Sequence, residues 1–242
     1  MAISNVDNAA GSGTQIFTNG ATYTANRLYL CLVITKKTGG PSVPSSVVMH
    51  NQTPTFTLIT GVAIDADRRL DIYRMMPTST FGPGQTIEIN YAAAQDGCFA
   101  EIDEDTSSDT TGSNGSGAII QSNTGTSNSS PVTVTLAAFA NANNYVWGGF
   151  AYANFNGLTQ GAGFTKLGAQ TSGGNTLSEM TEWQNANDVS VDATFESGTF
   201  AAAGAAVEIK NAVQAAGGAV VSISSMRMIK KVLGLTDFRR LN

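Results

Sequence analysis

The sequence predicts an all-β protein, a jelly-roll or Greek-key β-sandwich with a short amphipathic helix at its C-terminal end. Three observations carry this reading. About ten short apolar or alternating segments recur with turn residues between them, the rhythm of a sandwich rather than of a helical fold. Glycine takes 26 positions and charged residues only 13% of the 242, against ~25% in an average globular chain. The segments of the second half also follow those of the first at nearly constant spacing, which suggests an internal duplication.

In chain order, Asn26 to Ile34 is apolar on both alternating faces. Leu28, Leu30, Leu32 and Ile34 share one face and Tyr29, Cys31 and Val33 the other. Such a strand is central, its second face covered by loops, another sheet or another subunit. Thr55 to Ile59 and Leu70 to Met75 are further strands. Phe81-Gly82-Pro83-Gly84 is a turn, Gln85 to Tyr91 alternates as a half-buried strand should, and Gly97 to Ile102 closes the half. Residues 105–131 are polar apart from Ala118-Ile119-Ile120 and read as a long loop.

After a lead-in at Val132 to Leu136, Tyr145 to Tyr152 matches the Leu28 strand. Gly163 to Leu167 then matches Thr55 to Leu58, Thr176 to Met180 matches Arg69 to Tyr73, Val189 to Ala193 matches Thr86 to Asn90, and Ala205 to Ile209 matches Phe99 to Ile102. The spacing is 108 from Phe56 to Phe164, 107 from Leu70 to Leu177 and 107 from Glu101 to Glu208. The resulting division is an N-terminal arm over 1–25, a sandwich over 26–210 with halves at about 26–104 and 132–210, and a linker with a basic tail over 211–242. Two arrangements fit: stacked Greek keys around one shared core, favoured because each half is small, or two tandem sandwiches.

The tail differs in character. Ser225 is a plausible N-cap and Gly234 a stop for a helix, with Met226, Ile229, Val232 and Leu233 on one face and Arg227, Lys230 and Lys231 on the other. From Arg227 to Asn242 five basic residues accompany one acid, a net +4 in a chain of net −5.

Composition excludes several classes. A pI near 4.8 argues against a general nucleic-acid binder, and no apolar run approaches the ~18 residues of a membrane helix. With one histidine, His50, and two cysteines, Cys31 and Cys98, most His- or Cys-based catalysis and structural zinc sites lack their parts. His50 sits in a polar stretch with no Gly-x-Ser-x-Gly elbow in the chain, and reads as a loop histidine. Both cysteines lie in apolar strands, so buried free thiols are favoured over a disulfide. Gly112 to Gly117 lacks the Lys-Ser/Thr of a phosphate loop and reads as a flexible linker. Glu101, Asp103, Glu104, Asp105 and Asp109 supply oxygen ligands, but without calcium-loop spacing a solvated acidic loop is favoured. Asp65, Asp67, Arg68 and Arg69 read as a charge-compensated turn. No catalytic, cofactor or metal residues are assigned, and no enzyme is expected. Tyr145, Trp147, Phe150, Tyr152, Phe155 and Trp183 are the one candidate sugar platform; Trp147 and Phe150 lie inside an apolar strand, where core packing is favoured.

From Tyr145 to Ile209, the aromatic-aliphatic strand, the run Gly163-Phe164-Thr165-Lys166-Leu167, a Gly-rich break and the closing Ala201 to Lys210 resemble β-sandwich segments of bacteriophage structural proteins; the first half is similar but more diverged. The resemblance covers roughly 26–210. It implies a non-enzymatic virion protein, a capsid-decorating or minor capsid component, assembled in the host cytoplasm and docked on other virion proteins. The N-terminus, Met1 to Asp7, has no secretory signal, which agrees with that route. A homo-oligomer is expected, with no nucleic-acid or membrane partner. The tail is the expected docking element, through Met226, Arg227, Ile229, Lys230, Lys231, Val232, Leu233, Phe238, Arg239 and Arg240. The alternative is a carbohydrate-binding sandwich, a tail-fibre or receptor-binding module, using Trp183 and Tyr152.

Overall fold

The computed structural model describes residues 3–11, 15–49, 55–196 and 200–212; His50 and all ten tail residues assigned to docking lie outside them. The first half has eight strands: β1 (Ile3–Gly11), β2 (Gln15–Thr18), β3 (Leu28–Lys36), β4 (Ser46–Met49), β5 (Thr57–Ala63), β6 (Arg68–Met75), β7 (Thr86–Asn90) and β8 (Gly97–Asp105). After a single 3-10 turn at Ser116–Ala118 come β9 (Ile119–Ser127), β10 (Val132–Thr135), β11 (Tyr145–Tyr152), β12 (Leu158–Gln160), β13 (Thr165–Ser172), β14 (Leu177–Gln184), β15 (Ser190–Phe195) and β16 (Ala202–Ile209). The protein is all-β, and the paired strands run antiparallel.

These strands form two five-stranded and two three-stranded sheets. The first half is ordered β1-β8-β3-β6-β5 and β2-β7-β4; the second is ordered β9-β16-β11-β14-β13 and β10-β15-β12. Raising each label of the first half by eight reproduces the second, so the repeat read from sequence spacing is a repeat of topology.

Three apolar clusters order the sheets into layers. Tyr29, Cys31 and Val33 pack with Val47, Met49, Ile87 and Ile89 of the first three-stranded sheet. Val146, Phe150 and Tyr152 pack with Val132, Val134, Val191 and Phe195 of the second. Between them Leu28, Leu30, Leu32 and Ile34 meet Tyr145, Trp147, Ala203, Ala205, Val207 and Ile209. The layering is three, five, five, three, and the doubly apolar β3 is covered on both faces by its own chain. Each half builds an outer core and the two share a central one, so neither expected arrangement describes the molecule by itself. Coverage of β3 from within the chain also leaves neither of its faces for another subunit.

Close approach dictates two glycines. A Cβ on Gly149 would sit 2.9 Å from Leu32 Cδ1, across the central layer, and one on Gly204 would sit 2.4 Å from the Phe150 ring on the neighbouring strand. Where the two five-stranded sheets meet, β1 lies against β13 and β5 against β9. Because β9 and β13 repeat β1 and β5, this is the self-complementary contact of an approximate two-fold axis.

Several segments differ from the sequence reading. Residues 1–25, read as an arm, contain β1, which pairs along β8 from Ile3↔Asp105 to Gly11↔Cys98. The polar stretch 105–131 contains β9, an edge strand whose Ser, Thr and Asn residues suit its half-exposed position. Gly112 to Gly117 is packed rather than a free linker: Asn114 Oδ1 accepts from Met76 N at 2.8 Å, and its amide donates to Thr55 O at 2.7 Å. Glu101 and Glu208 are not equivalent despite their spacing, since Glu101 faces the central layer toward Asn5 while Glu208 faces outward to Asn144.

Leu32 is fully buried at the centre of the shared cluster. Leu32→Ala is expected to lower stability by about 2–5 kcal/mol, with spectroscopic probes in both halves losing their signal at the same reduced urea midpoint.

Candidate functional site

The acids of β8 are the unusual feature of the fold. A strand alternates its faces, so Glu101, Asp103 and Asp105 share the face turned to the central layer while Glu104 turns outward. None is solvated: Glu101 and Asp103 are fully buried, and Glu104, Asp105 and Asp109 nearly so. The acidic-loop reading is therefore corrected. These residues sit in a β-strand and its following turn, where burial demands hydrogen-bond donors.

The donors come from both halves. Trp147 Nε1 of β11 donates to Asp103 Oδ2 at 2.8 Å, and the Tyr145 hydroxyl donates to Asp105 Oδ2. From β1, Asn5 Nδ2 donates to Glu101 Oε2 at 2.7 Å and to Asp103 Oδ1 at 3.0 Å. On the outward face, Tyr29 OH donates to Glu104 Oε1 at 2.5 Å and Arg27 to Glu104 Oε2 at 2.9 Å. Lys210 pairs with Asp109 at 2.6 Å, and this contact holds the Asp109 carboxyl down at about 2.

Opposite Glu101, β14 presents a buried glutamate of its own, Glu179. Gln170 Nε2 of β13 donates to Glu179 Oε1 at 2.8 Å and to the carbonyl of Ala100 at 3.0 Å. Burial pushes Asp103 and Glu179 up, and raises Asp105 to about 6 despite the Tyr145 hydroxyl. Glu182, on the outward face of β14, is pushed to about 8 by burial, with Asp192 and Asp188 adding to the rise; Gly161 N donates to it at 2.9 Å. Among the described residues no group of three or more His, Cys, Asp or Glu is arranged to hold a metal ion.

The sugar platform is not assembled. Tyr152 is fully buried, its ring 4.4 Å from that of Phe195 and its hydroxyl donating to Glu196 O at 3.1 Å. Trp183 is half-buried and meets Tyr145 edge-on at 6.4 Å. Trp147 and Phe150 are core, as favoured from sequence, while Phe155 is exposed. A shallow pocket of about 340 Å³ lies at the outer β12–β15 edge, lined by Asn156 to Thr159 and Thr194 to Glu196; neither Tyr152 nor Trp183 lines it. Cys31 and Cys98 are buried free thiols, and Tyr91 OH donates to Cys98 Sγ at 3.1 Å. Asp65 and Arg68 form the expected local pair at 2.7 Å.

Asn5, Gln170 and Glu179 were not singled out from the sequence. The available signal was period two: acids at 101, 103 and 105 fall on one face of a strand, and an inward acid needs a partner. Compared with protein-family models, with curated proteins and with solved structures, the chain gives no match in any of the three.

Trp147→Phe keeps an aromatic ring of smaller size and removes the donor to Asp103. It is expected to cost about 1–3 kcal/mol, the range for a buried acceptor left without its partner, measured by urea unfolding at pH 7. Trp183→Ala is expected to lower the melting temperature through lost packing on Tyr145, with no specific glycan binding on an array for either chain.

Proposed function

We propose that this chain is a non-enzymatic structural protein of a bacteriophage particle, a capsid-decorating or minor capsid component in which each half is a jelly roll. The order β1-β8-β3-β6 facing β2-β7-β4 supports the jelly-roll reading. So does the bridge Val47↔Phe56, which continues the second sheet toward the start of β5. The observation that carries the structural role is where the acids go. The buried carboxyls of β8 are engaged by Trp147 and Tyr145 across the central layer and by Asn5, Tyr29 and Arg27 within their own half, which makes them parts of the packed interior rather than free acids and bases facing a cleft.

The surface suits the same role. With only 13% charged residues, the exposed positions rely on Ser, Thr, Asn and Gly, and the resemblance to phage sandwich segments gives such a surface a context. The partners are other virion proteins, and the place of assembly is the host cytoplasm. The basic tail is the docking element, meeting an acidic rim on its partner; the homo-oligomer expectation now rests on that tail.

Mass spectrometry of purified particles from the source tests the proposal. Hundreds of copies per particle identify a capsid decoration and a handful a minor component, while absence from particles overturns it. Removal of residues 219–242 tests the tail: docking predicts a nearly unchanged melting temperature and loss of incorporation. A large drop in melting temperature would instead make the tail part of the core.

A further inference from the structure

Glu101 of β8 and Glu179 of β14, 0% and 1% exposed, meet where these strands touch across the central layer: one Gln170 Nε2 donates both to Glu179 Oε1 and to the carbonyl of Ala100, next to Glu101. Each has one oxygen satisfied by an amide: Asn5 Nδ2 donates to Glu101 Oε2 and Gln170 Nε2 to Glu179 Oε1. Their remaining oxygens, Glu101 Oε1 and Glu179 Oε2, are buried without a hydrogen-bond partner. Two orphaned acceptors on neighbouring carboxyls are an arrangement that two carboxylates do not tolerate, since each needs a donor and like charges at close range repel. One proton satisfies both.

We propose that Glu179 and Glu101 share a proton, Glu179 Oε2–H donating to Glu101 Oε1, and that this makes the junction between the two halves a pH-sensitive joint. The surroundings decide which residue holds the proton. Glu101 has the Asn5 amide at 2.7 Å and feels the positive charge of Lys166 on β13, both of which favour its charged form, whereas Asp103 opposes it. For Glu179, burial first, then the charge of Glu101, drives it toward the neutral acid. Gln170 donates to Glu179 Oε1 and to the carbonyl of Ala100, the residue before Glu101. The remaining groups nearby are neutral: the Thr181 hydroxyl and the Trp147 indole, both bonded to Asp103, and the thiols of Cys31 and Cys98, the latter pushed by burial up to about 12.

The sign follows from the direction of the shifts. Both glutamates are raised above their ordinary value of 4.5, so the folded chain binds more protons than the unfolded chain above that pH. The pair's contribution to stability is full at and below about pH 4.5 and is lost as the pH rises, until the shared proton leaves to solvent and two charges face each other between the sheets. While one proton is held, the folding constant loses about tenfold per pH unit from this pair.

Glu179→Gln tests the assignment, because its amide donates to Glu101 Oε1 with no proton to lose. Calorimetric unfolding at pH 7 in buffers of different ionisation enthalpy counts protons released. The variant is expected to release fewer by about one, and its urea midpoint to fall less steeply than wild type between pH 5 and 9. Equal proton release and equal slopes in the two chains would overturn the proposal. Glu182→Gln removes the other raised glutamate of β14 and leaves the pair intact, which covers the case in which Glu179→Gln does not fold. In that chain a protonated-carboxyl C=O band, shifted by deuterium exchange, is expected by infrared spectroscopy at pH 8, and its absence would equally overturn the assignment.

Discussion

Burial of both faces of β3 and β11 is the constraint on which the rest of the molecule depends. A strand whose side chains are apolar on two sides must lie in an inner layer, and the chain contains two such strands. One sandwich gives each of them a single covered face. Stacking the two five-stranded sheets against each other supplies the second, and the central cluster around Leu30, Leu32, Trp147 and Val207 is the result. Close contact there leaves no room for side chains at Gly149, and the size of Phe150 leaves none at Gly204. Sequence composition, layer number and strand order are thus one solution to one problem.

The carboxyls between the sheets act against this apolar background. Removing charge from water is costly, so the row on β8 adds less to stability than to specificity. Trp147 reaches Asp103 and Tyr145 reaches Asp105 across the layer, while Asn5 bridges Glu101 to Asp103 within its own sheet; a slip of one sheet over the other would break the Trp147 and Tyr145 bonds and deprive two buried carboxyls of those donors. A purely apolar joint of similar area tolerates sliding, because dispersion and hydrophobic contact are not directional. The hydrogen bonds select one register from many of comparable apolar burial. They also concentrate raised carboxyls at the joint, which ties its strength to pH.

Much of this was legible in the sequence, and what was not has a physical reason. Phe56 with Phe164 and Leu70 with Leu177 are true repeats because apolar burial fixes their faces: the first pair lies in the outer cores and the second in the central one. Glu101 and Glu208 share a spacing but not a face, and spacing alone does not report which side a strand turns. β1 and β9 were missed because they are edges of the five-stranded sheets, where half the side chains meet solvent and the apolar period fades. The acids at 101, 103 and 105 read as solvated in the sequence because their donors lie far along the chain, on residues 145 and 147 and on Asn5. No local pattern reveals such a partner. The tail from 213 onward lies outside the described residues, so its reading as an amphipathic helix stays where the sequence left it.

The edges of the two inner sheets limit how this block meets anything else. The interior pairings β3–β6, β3–β8, β11–β14 and β11–β16 run in unbroken register. The pairings that involve the four edges do not: register shifts fall at Asn5/Asp7 on β1, Leu58/Thr60 on β5, Lys166/Ala169 on β13, and opposite β9 at Glu208/Ile209. Bulges at an edge twist the strand and interrupt the row of donors and acceptors that another sheet would need. Lateral growth by strand addition is therefore blunted at every edge of both inner sheets. Their broad faces are already covered within the chain. Among the described residues, the outer three-stranded sheets and the loops are what remains open to solvent. Closed in this way, the inner sheets resist strand-by-strand polymerisation.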